Sequence, residues 1–391
     1  MPSIFSGAGL RPANFAPAEV LDHCLRGEAV TDDLLDRALA IDEGRAFLSI
    51  VVERLGDLFE PRLCDVYNEL FLRVIQRVFP ELMPRVRRVS ILQNQGSPKP
   101  PDSVDRVYVL SRVTLGADVA VTSVLLDAAK KRYPNAEVHF VGPKKNFELF
   151  EADPRITHFA SPYPRSSSLR DRLAASAELA GRRPAPLIDP DSRLTQLGLI
   201  RVCDDADYFF FPSRAYGGDG LDRLPDLAAR WAAEVFGVAD ARPFIAPLPV
   251  PGPPADITVS LGVGENPAKR FEGAIERDLL KVLAETGASV LVDTGGSEEE
   301  RRRVEAAVTP GMRTYAGAFA PFAFEIARSK LFVGYDSAGG HIASACGVPL
   351  ISIANGFASE RMAARWRPKG VVIRDADVNL VREAVTCTFR R

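Results

Sequence analysis

From Arg106 onward, short apolar runs rich in β-branched and aromatic residues alternate with longer amphipathic segments. The first such unit reads RVYVLSRV, then VAVTSVLLDAAKKRYP, then AEVHFVG, a pattern that predicts a strand, a helix and a second strand. Two neighbouring strands that are connected by a helix run parallel to each other. The connecting helices must then cover the faces of the sheet. The alternation therefore predicts an α/β fold built on doubly wound parallel sheets.

The alternation is interrupted once, at the proline-rich segment 241–256, which cannot continue regular structure and which we interpret as a hinge. Before it, APLID and ADYFFFP predict two further strands. After it, ITVSLG, SVLVDTG, LFVGYD and PLISIA alternate with predicted helices. We therefore predict two Rossmann-like domains, residues 104–248 and 255–391. Their strand ends should face one cleft, because open α/β sheets bind ligands at the carboxyl ends of their strands.

Residues 1–95 have a different pattern and predict a helical N-terminal extension. Within PRLCDVYNELFLRVIQRVF, apolar side chains recur at helical spacing. They are Leu63, Val66, Tyr67, Leu70, Phe71, Val74 and Val78. The segment 93–103 is rich in proline, glycine and polar residues, which is typical of a linker. The apolar stripe needs a partner surface, which is either the following domain, another protein or a second copy of the chain.

Charge and cysteine content exclude several classes of function. The formal net charge of the 391 residues is −2, so no global positive field would recruit nucleic acid, and we expect no nucleic-acid partner. The amino terminus lacks a basic lead followed by an apolar core, and no window has the length of apolar sequence that a membrane helix needs. Five scattered cysteines without a C-x-x-C pair argue against a disulfide framework or a zinc site. We expect a cytoplasmic protein.

The segment GYDSAGGHIASACG predicts a strand that ends at Asp336, a turn of small residues and a helix. The first backbone N–H groups of a helix lack internal partners, and together with the helix dipole they favour a phosphate. The alternative is that Gly339 and Gly340 only form a turn and that His341 packs against its neighbours.

Two further segments carry candidate residues. In SLGVGENPAKRF, two glycines follow a strand and precede Lys269 and Arg270, so a flexible loop could bring an ammonium group over a diphosphate; an exposed cationic pair is the alternative. In SRVTLGADVAVTSVLLDA, Asp118 lies where the first helix of the sheet begins. A carboxylate at this position caps the helix, or accepts a proton from an incoming hydroxyl group.

Taken together, the segments RVTLGADVAVTSVLLDAAKKRYPNAEVHFVG, LGVGENPAKRF and FVGYDSAGGHIASACGVPLISI resemble the bacterial heptosyltransferases, glycosyltransferase family 9, in the same order and with similar separations. The resemblance spans roughly residues 106–375 and leaves out the helical extension. It implies the two-domain GT-B fold and transfer of a sugar, typically heptose from ADP-heptose, to a lipopolysaccharide acceptor with inversion. The nucleotide sugar is then a co-substrate, and no other cofactor is implied.

The resemblance also implies roles for individual residues. It makes Asp118 the base that deprotonates the acceptor hydroxyl and Lys269 the cation that reaches the phosphates, and it places Asp189 and Arg193 on the acceptor side. The donor-binding residues that it implies are Asn266, Lys269, Arg270, Asp336, Ser337, Ala338, Gly339 and His341.

Two departures from the family pattern leave alternatives open. The usual Gly-Asp is Ala117-Asp118 here, with the glycine one place earlier, and Ala338 replaces the glycine of the Asp-Ser/Thr-Gly-x-x-His signature. Each change adds a methyl group where backbone approaches phosphate or sugar. The alternatives are a GT-B enzyme that uses another nucleotide sugar, and a catalytically weak, nucleotide-sensing relative whose helical extension binds a protein partner.

No metal is expected. The triplets 189–191 and 375–377 have the D-x-D form that holds divalent ions in other glycosyltransferases, but neither has further hard ligands nearby, and Lys269 with helix N–H groups can neutralise a diphosphate. The expected partners are a nucleotide-sugar donor and a glycan or glycolipid acceptor. Contact with the inner membrane face through the acceptor, and an oligomer formed through the N-terminal helices, are open alternatives.

Overall fold

The computed structural model describes residues 15–87, 96–161, 167–179, 185–263, 269–271, 274–374 and 377–389. Within these ranges the chain forms two parallel sheets, which we call the first lobe (residues 104–248) and the second lobe (residues 255–391), and a group of helices before them, the N-terminal unit (residues 15–87). The predicted pair of doubly wound sheets is confirmed. The hinge segment 241–256 contains no helix or strand, as its prolines predict.

The N-terminal unit is helical, as predicted. Its α-helices are α1 (Ala16–Arg26), α2 (Asp32–Ala40), α3 (Arg45–Phe47), α4 (Glu53–Asp57) and α5 (Pro61–Val78). Shorter turns follow α2, α3 and α5: a 3₁₀ turn at Ile41–Gly44, a π turn at Leu48–Val52 and a 3₁₀ turn at Pro80–Arg85. The predicted stripe of α5 is buried at Leu63, Tyr67, Leu70, Phe71 and Val74.

The first lobe has its strands in the order β3-β2-β1-β4-β5, all parallel. They are β1 (Arg106–Leu110), β2 (Glu137–Gly142), β3 (Ile156–Ala160), β4 (Leu187–Asp189) and β5 (Tyr208–Phe210). Its helices are α6 (Leu115–Ala117), α7 (Ser123–Arg132), α8 (Lys144–Phe147), α9 (Leu169–Glu178) and α10 (Leu224–Phe236), with 3₁₀ turns at Arg193–Thr195 and Asp205–Asp207. A π turn, Asp118–Thr122, joins α6 to α7 without a break and makes room for an additional residue.

The second lobe has the strand order β11-β10-β9-β6-β7-β8, again all parallel. The strands are β6 (Ile257–Ser260), β7 (Val290–Asp293), β8 (Arg313–Tyr315), β9 (Leu331–Tyr335), β10 (Leu350–Ile353) and β11 (Val371–Ile373). The helices are α11 (Ile275–Ala284), α12 (Glu298–Ala307), α13 (Phe319–Ala327), α14 (Ala338–Cys346), α15 (Glu360–Trp366) and α16 (Val378–Phe389).

The N-terminal unit packs on the first lobe and forms one of its layers. Buried side chains of α1, α2 and α5 belong to the same apolar cluster as Tyr108 and Leu110 of β1, Val141 of β2 and Phe210 of β5. Helices α7 and α10 cover the opposite face of this sheet. Because a parallel sheet has to be covered on both faces, the helices of the extension take the place of a helical layer.

A continuous apolar core also joins the two lobes. Residues of β1 and α7 in the first lobe share one buried cluster with α13 and α14 of the second, including Phe322, Ile326 and Ile342. At its edge, α15 makes polar contacts with the first lobe. Arg361 Nη2 lies 2.7 Å from Asp219 Oδ1, and Arg365 Nη2 donates to the carbonyl oxygen of Gly218 at 3.0 Å. The lobes are thus held together by buried apolar area as well as by an ion pair and a hydrogen bond.

Candidate functional site

The candidate residues follow four particular strands. In the first sheet the strand order reverses between β1 and β4, and in the second it reverses between β6 and β9. Such switch points are where open α/β sheets bind ligands, because the loops at the carboxyl ends diverge there. Asp118 and Arg193 follow β1 and β4, and Lys269 and Asp336 follow β6 and β9. The residues predicted from the sequence therefore lie beyond the strand ends that border the two switch points.

In the second lobe, Lys269 and Asp336 come together although they are 67 residues apart. Lys269 Nζ donates to Asp336 Oδ2 at 2.5 Å and lies 3.3 Å from the carbonyl oxygen of Asp336. The side chain of Asp336 is 6% exposed, whereas that of Lys269 is 20% exposed. An ammonium group is thus fixed at the turn between β9 and α14.

That turn leaves hydrogen-bond donors without acceptors. Ser337 is the N-cap residue of α14, yet its side chain caps no backbone N–H group of the helix. Its Oγ is buried without a hydrogen-bond partner in the part of the chain that the structure describes. The first N–H groups of α14, including those of Ala338 and Gly339, also have no acceptor within the helix. An anion placed here would accept hydrogen bonds from the hydroxyl and amide groups next to the Lys269 ammonium.

His341 lies on α14 at the junction of the two lobes. A β-carbon on Gly116, in the loop after β1, would be 3.1 Å from His341 Cδ2 and 3.5 Å from Ala338 Cα. The His341 ring centroid is 5.7 Å from that of Trp366 on α15. Burial lowers the pKa of His341, while Asp336 acts in the opposite direction, and the imidazole is therefore neutral at pH 7. The first-lobe loop and the second-lobe turn thus meet in close contact, and we call this junction of the two lobes the crevice.

Asp118 does not face this crevice, which differs from the orientation that a base needs. Its carboxylate is fully buried. One oxygen accepts hydrogen bonds from Arg112 N and Thr122 Oγ1, both at 2.6 Å, and the other accepts from Ser111 Oγ at 2.6 Å and Asn146 Nδ2 at 2.5 Å. Burial raises the pKa of Asp118 and these hydrogen bonds lower it, with burial the larger effect. In this conformation the carboxylate organises the loop after β1, and its role as a base stays a prediction.

Asp189 is likewise turned away from the acceptor side on which it was expected. It is fully buried and accepts hydrogen bonds from Tyr208 Oη at 2.6 Å, Thr195 Oγ1 at 2.5 Å and Ser192 N at 2.7 Å. Burial raises the pKa of Asp189 to about 6, although these hydrogen bonds lower it. The loop after β4 folds back over its own strand end, so in this conformation Asp189 holds that loop, and its role on the acceptor side stays a prediction.

Arginines occupy the first-lobe side of the crevice instead, and two of them were not predicted from the sequence. Arg214 Nη1 lies 3.1 Å from Asp191 Oδ2, and Arg193, which was predicted, lies 3.8 Å from Asp57 of the N-terminal unit. Arg112 is buried with its guanidinium 5.8 Å from the Trp366 ring centroid. The segments SRVTLGAD and FPSRAYGG place Arg112 and Arg214 just after strands, which was the available sequence signal.

Backbone strain is concentrated around these arginines. Val113 has φ of 63° and Asp191 has φ of 68°, each just beyond the end of a central strand. A positive φ is unusual for any residue with a β-carbon and costs most for a β-branched side chain such as valine. Strained backbone of this kind clusters at binding and catalytic sites, where neighbouring structure enforces it.

A cavity of about 420 Å³ opens at the carboxyl ends of β9, β10 and β11. Its lining includes Asp336, Ser352, Phe357, Arg367 and Arg374. The Lys269 ammonium lies 5.8 Å from the ring centroid of Phe357, at the cavity wall. This volume falls within the range of small-molecule sites, and the cavity carries both acidic and basic groups for a polar ligand.

The remaining donor-side predictions are Asn266 and Arg270. Asn266 lies outside the described residues. The carbonyl oxygen of Arg270 is 3.5 Å from Asn355 Nδ2, which ties the loop after β6 to the loop after β10. Residues 375 and 376 of the second D-x-D triplet also lie outside the described ranges. In the described ranges, no group of three or more His, Cys, Asp or Glu side chains is arranged to hold a metal ion.

None of the helices that the structure describes combines the length and the apolar character that crossing a bilayer requires.

Neither a protein-family model nor a curated protein sequence matches this chain. Solved structures do. The structure of the E. coli heptosyltransferase WaaC with ADP is 14% identical, with a TM-score of 0.54, and the match covers 72% of this chain and 99% of that chain. E. coli ADP-heptose LPS heptosyltransferase II is 18% identical, with a TM-score of 0.53 and coverage of 73% and 98%.

A glycosyltransferase of family 9 from Veillonella parvula is similar in the same way, with 15% identity, a TM-score of 0.52 and coverage of 74% and 91%. At these identities the similarity concerns the fold. It confirms the predicted GT-B architecture, and it agrees with the family resemblance inferred from the sequence motifs. About a quarter of this chain lies outside each of these matches.

Proposed function

We propose that this protein is an inverting glycosyltransferase of the heptosyltransferase type, which moves a sugar from a nucleoside-diphosphate donor to a hydroxyl group of an acceptor. The observation that carries the proposal is the meeting of three distant segments at one crevice. The loop after β1 reaches α14 through Gly116 and His341, and Lys269 pairs with Asp336 at the start of α14. GT-B enzymes need this arrangement, because donor and acceptor bind to different lobes.

On the donor side, the diphosphate would bind at the amino end of α14. The α14 amide groups, the Ser337 hydroxyl and the Lys269 ammonium would stabilise the charge that develops when the bond between the anomeric carbon and the diphosphate breaks. In exchange for the phosphate, Lys269 would release Asp336. We propose ADP-heptose as the donor, on the motif resemblance and on the fold shared with an enzyme solved with ADP.

On the acceptor side, a hydroxyl oxygen would attack the anomeric carbon from the face opposite the diphosphate, and its proton would pass to a base. Most of the rate acceleration of such a transfer comes from holding both substrates in line between the lobes. A base increases the rate by about a further 10²- to 10⁴-fold. The acceptor would be a glycan or glycolipid. Contact with the membrane through a glycolipid, and a cytoplasmic location, follow from this proposal.

Asp118 remains the proposed base, but its burial sets a condition. One of its four hydrogen bonds must open before a carboxylate oxygen can meet an acceptor hydroxyl. Asp118→Asn should reduce kcat by at least about 100-fold with little change in donor affinity. The pH profile of kcat/KM distinguishes the roles, because a base produces an acidic limb that Asp118→Asn removes, whereas a purely organising carboxylate leaves the shape of the profile unchanged.

The saturated carboxylate also favours a second candidate function. A GT-B protein whose base is locked inside the first lobe could bind nucleotide without transferring sugar. The N-terminal unit would then serve as the partner-binding element, although its main apolar stripe is already buried against the first sheet.

A panel of nucleotide sugars that includes ADP-heptose tests both candidates. Binding is measured by thermal shift and turnover by nucleoside-diphosphate release with and without EDTA. We expect ADP-heptose to stabilise the protein, Lys269→Met to abolish most of that stabilisation, and turnover to persist in EDTA. Lys281→Met, a change in helix α11 well away from the crevice, is the matched control. Stabilisation without turnover for every acceptor tried would favour the nucleotide-sensing function, and stabilisation by no nucleotide sugar would overturn both.

A further inference from the structure

An aspartate of the N-terminal unit lies against the arginines on the acceptor side of the crevice. Asp57, the last residue of α4, has Oδ1 at 3.6 Å from Arg214 Nη2 and Oδ2 at 3.8 Å from Arg193 Nη2. We infer that Arg193 and Arg214 form a binding site for a carboxylate or phosphate group of the acceptor, and that Asp57 occupies this site until the acceptor replaces it. The identity of the ligand as an acceptor rests on the proposed function.

The contacts of Arg214 with its two acidic partners differ in kind. Asp191 is an internal partner, because its Oδ2 lies 3.1 Å from Nη1 and accepts from the backbone N of Arg214 at 3.1 Å, and its carbonyl oxygen accepts from Nη1 at 2.9 Å. The Asp57 oxygens lie beyond hydrogen-bonding distance. The Asp57 side chain is also 31% exposed, compared with 4% for Asp191. Asp191 is therefore part of the fold, whereas Asp57 is a weakly held counter-charge.

Arg214 still has hydrogen-bonding capacity. Its side chain is 6% exposed, and its Nη2, which lies 3.6 Å from Asp57 Oδ1, donates no hydrogen bond to the residues that the structure describes. Guanidinium groups bind carboxylate and phosphate through paired, charge-assisted hydrogen bonds of about 2.7–2.9 Å, which are considerably stronger than an ion pair at 3.6 Å. A ligand anion would therefore make better contacts with the arginine pair than Asp57 does.

The surroundings direct the ligand toward the crevice. Arg112 adds a third guanidinium, which burial and the neighbouring charge of Arg214 hold at a pKa of about 9. Arg112 faces Trp366 of the second lobe, and Trp366 in turn faces His341. An anionic group bound by Arg193 and Arg214 would place the rest of its molecule beside the residues proposed for sugar transfer.

The N-terminal unit is shaped to deliver Asp57 to this position. A β-carbon on Gly56 would lie 2.8 Å from Arg214 Nε, so glycine is needed for α4 to end this close to the arginine. Three residues after Gly56, Phe59 has φ of 56°, is fully buried, and packs edge-on against Trp366 at 5.9 Å between ring centroids. The loop of residues 57–60 thus contacts both lobes at the acceptor end of the crevice.

Binding of inorganic phosphate and of acetate to the full-length protein tests the inference. All variants carry Lys269→Met, which removes the cation of the proposed donor site. Adding Asp57→Asn should lower the Kd for one of the two probes about fivefold, because the competing carboxylate is gone. Asp33→Asn, which removes an exposed carboxylate in the same unit, should leave both Kd values unchanged. Adding Arg193→Gln to Asp57→Asn should return the Kd to the value of the Lys269→Met parent.

A lower Kd for phosphate in the Asp57→Asn variant identifies a phosphorylated acceptor group, and a lower Kd for acetate identifies a carboxylated one. Unchanged Kd values for both probes in the Asp57→Asn variant would overturn the inference, provided that its circular dichroism spectrum matches that of the parent. The measurement needs neither donor nor turnover. A failure of the proposed sugar transfer would therefore leave the anion site standing, and the loss of the anion site would not affect the assay of transfer.

Discussion

At the scale of single residues, three aspartates lie at or beyond the carboxyl ends of three central strands and yet have different surroundings. Asp118 and Asp189 are fully buried and each accept three or more hydrogen bonds from their own lobe, whereas Asp336 lines a cavity and pairs with Lys269. A carboxylate at a strand end is expected to serve a ligand. The first two instead hold loops that present other residues, notably the arginines.

The titration of Asp189 should be visible in the stability of the protein. Its native pKa of about 6 exceeds the ordinary value of 3.8, so the native state favours the protonated form. The contribution of this group to stability is therefore complete below about pH 4 and is lost as the pH rises through 6, a change of about 3 kcal/mol. Asp189→Asn cannot titrate. The difference in unfolding free energy between wild type and Asp189→Asn should thus fall by about this amount from pH 4 to pH 7 in urea denaturation.

Asp204→Asn is the control for that measurement, because it changes a carboxylate of the neighbouring loop whose side chain is 83% exposed. It should alter the unfolding free energy by less than about 0.5 kcal/mol. A wild-type minus Asp189→Asn difference that is the same at pH 4 and pH 7 would contradict the burial argument.

At the scale of elements, the turn from β9 into α14 is defined by how closely its glycines pack. A β-carbon on Gly339 would lie 2.5 Å from Phe332 Cζ, inside the core of the second lobe. A β-carbon on Gly340 would have one neighbour within 4 Å among the described residues, Pro368 Cγ at 3.8 Å. The first glycine is thus required by packing, and the second is not.

The two alanine substitutions should consequently have opposite effects. Gly339→Ala forces the buried Phe332 ring to move and should lower the unfolding free energy by about 1–3 kcal/mol. Gly340→Ala removes a glycine from the first turn of α14 and should raise it by up to about 0.5–1 kcal/mol. Urea denaturation of both variants gives the comparison. Equal effects of the two would show that the turn is not held by contact with Phe332.

The elements that escaped prediction are short strands at sheet edges. The strands β3, β8 and β11 have at most five residues, lie at the edge of their sheets, and are partly exposed. The first two contain polar residues, because an edge strand is covered less completely, and β11 has only the three apolar residues Val371–Ile373, too short a run to predict a strand. The π turn at Asp118–Thr122 was also missed, since no pattern in a single sequence distinguishes it from an α-helical turn.

At the scale of the whole molecule, the N-terminal unit and the two lobes form one body. The unit covers a face of the first sheet, and its loop 57–60 reaches α15 of the second lobe, where Arg361 Nη1 donates to the carbonyl oxygen of Phe59 at 3.2 Å. An element that contacts both lobes restrains their relative motion. Substrate entry in this protein would accordingly be coupled to the N-terminal unit.

The first lobe should therefore fail to fold without the unit. A chain that begins at Asp102 would expose the face of Tyr108, Leu110 and Phe210 to water, a large apolar patch. We expect it to aggregate, or to bind a hydrophobic dye and lose its cooperative unfolding transition. In the full chain, Phe71→Ala should cost about 3–5 kcal/mol, whereas Glu69→Ala, on the exposed side of the same helix, should cost little. A truncated chain that is monomeric and unfolds cooperatively would refute this view.

The sequence by itself determined the two parallel sheets, the hinge between them and the strand ends that carry the candidate residues. These features are encoded in helical and strand periodicities that are recognisable within about ten to twenty residues, and each segment carries its pattern whatever its neighbours are. Only the tertiary structure decided which side chains meet. Asn146 and Tyr208 draw Asp118 and Asp189 inward, and a helix end from the N-terminal unit brings Asp57 to Arg214. Such contacts join segments that lie 19 to 157 residues apart, and no local pattern records them.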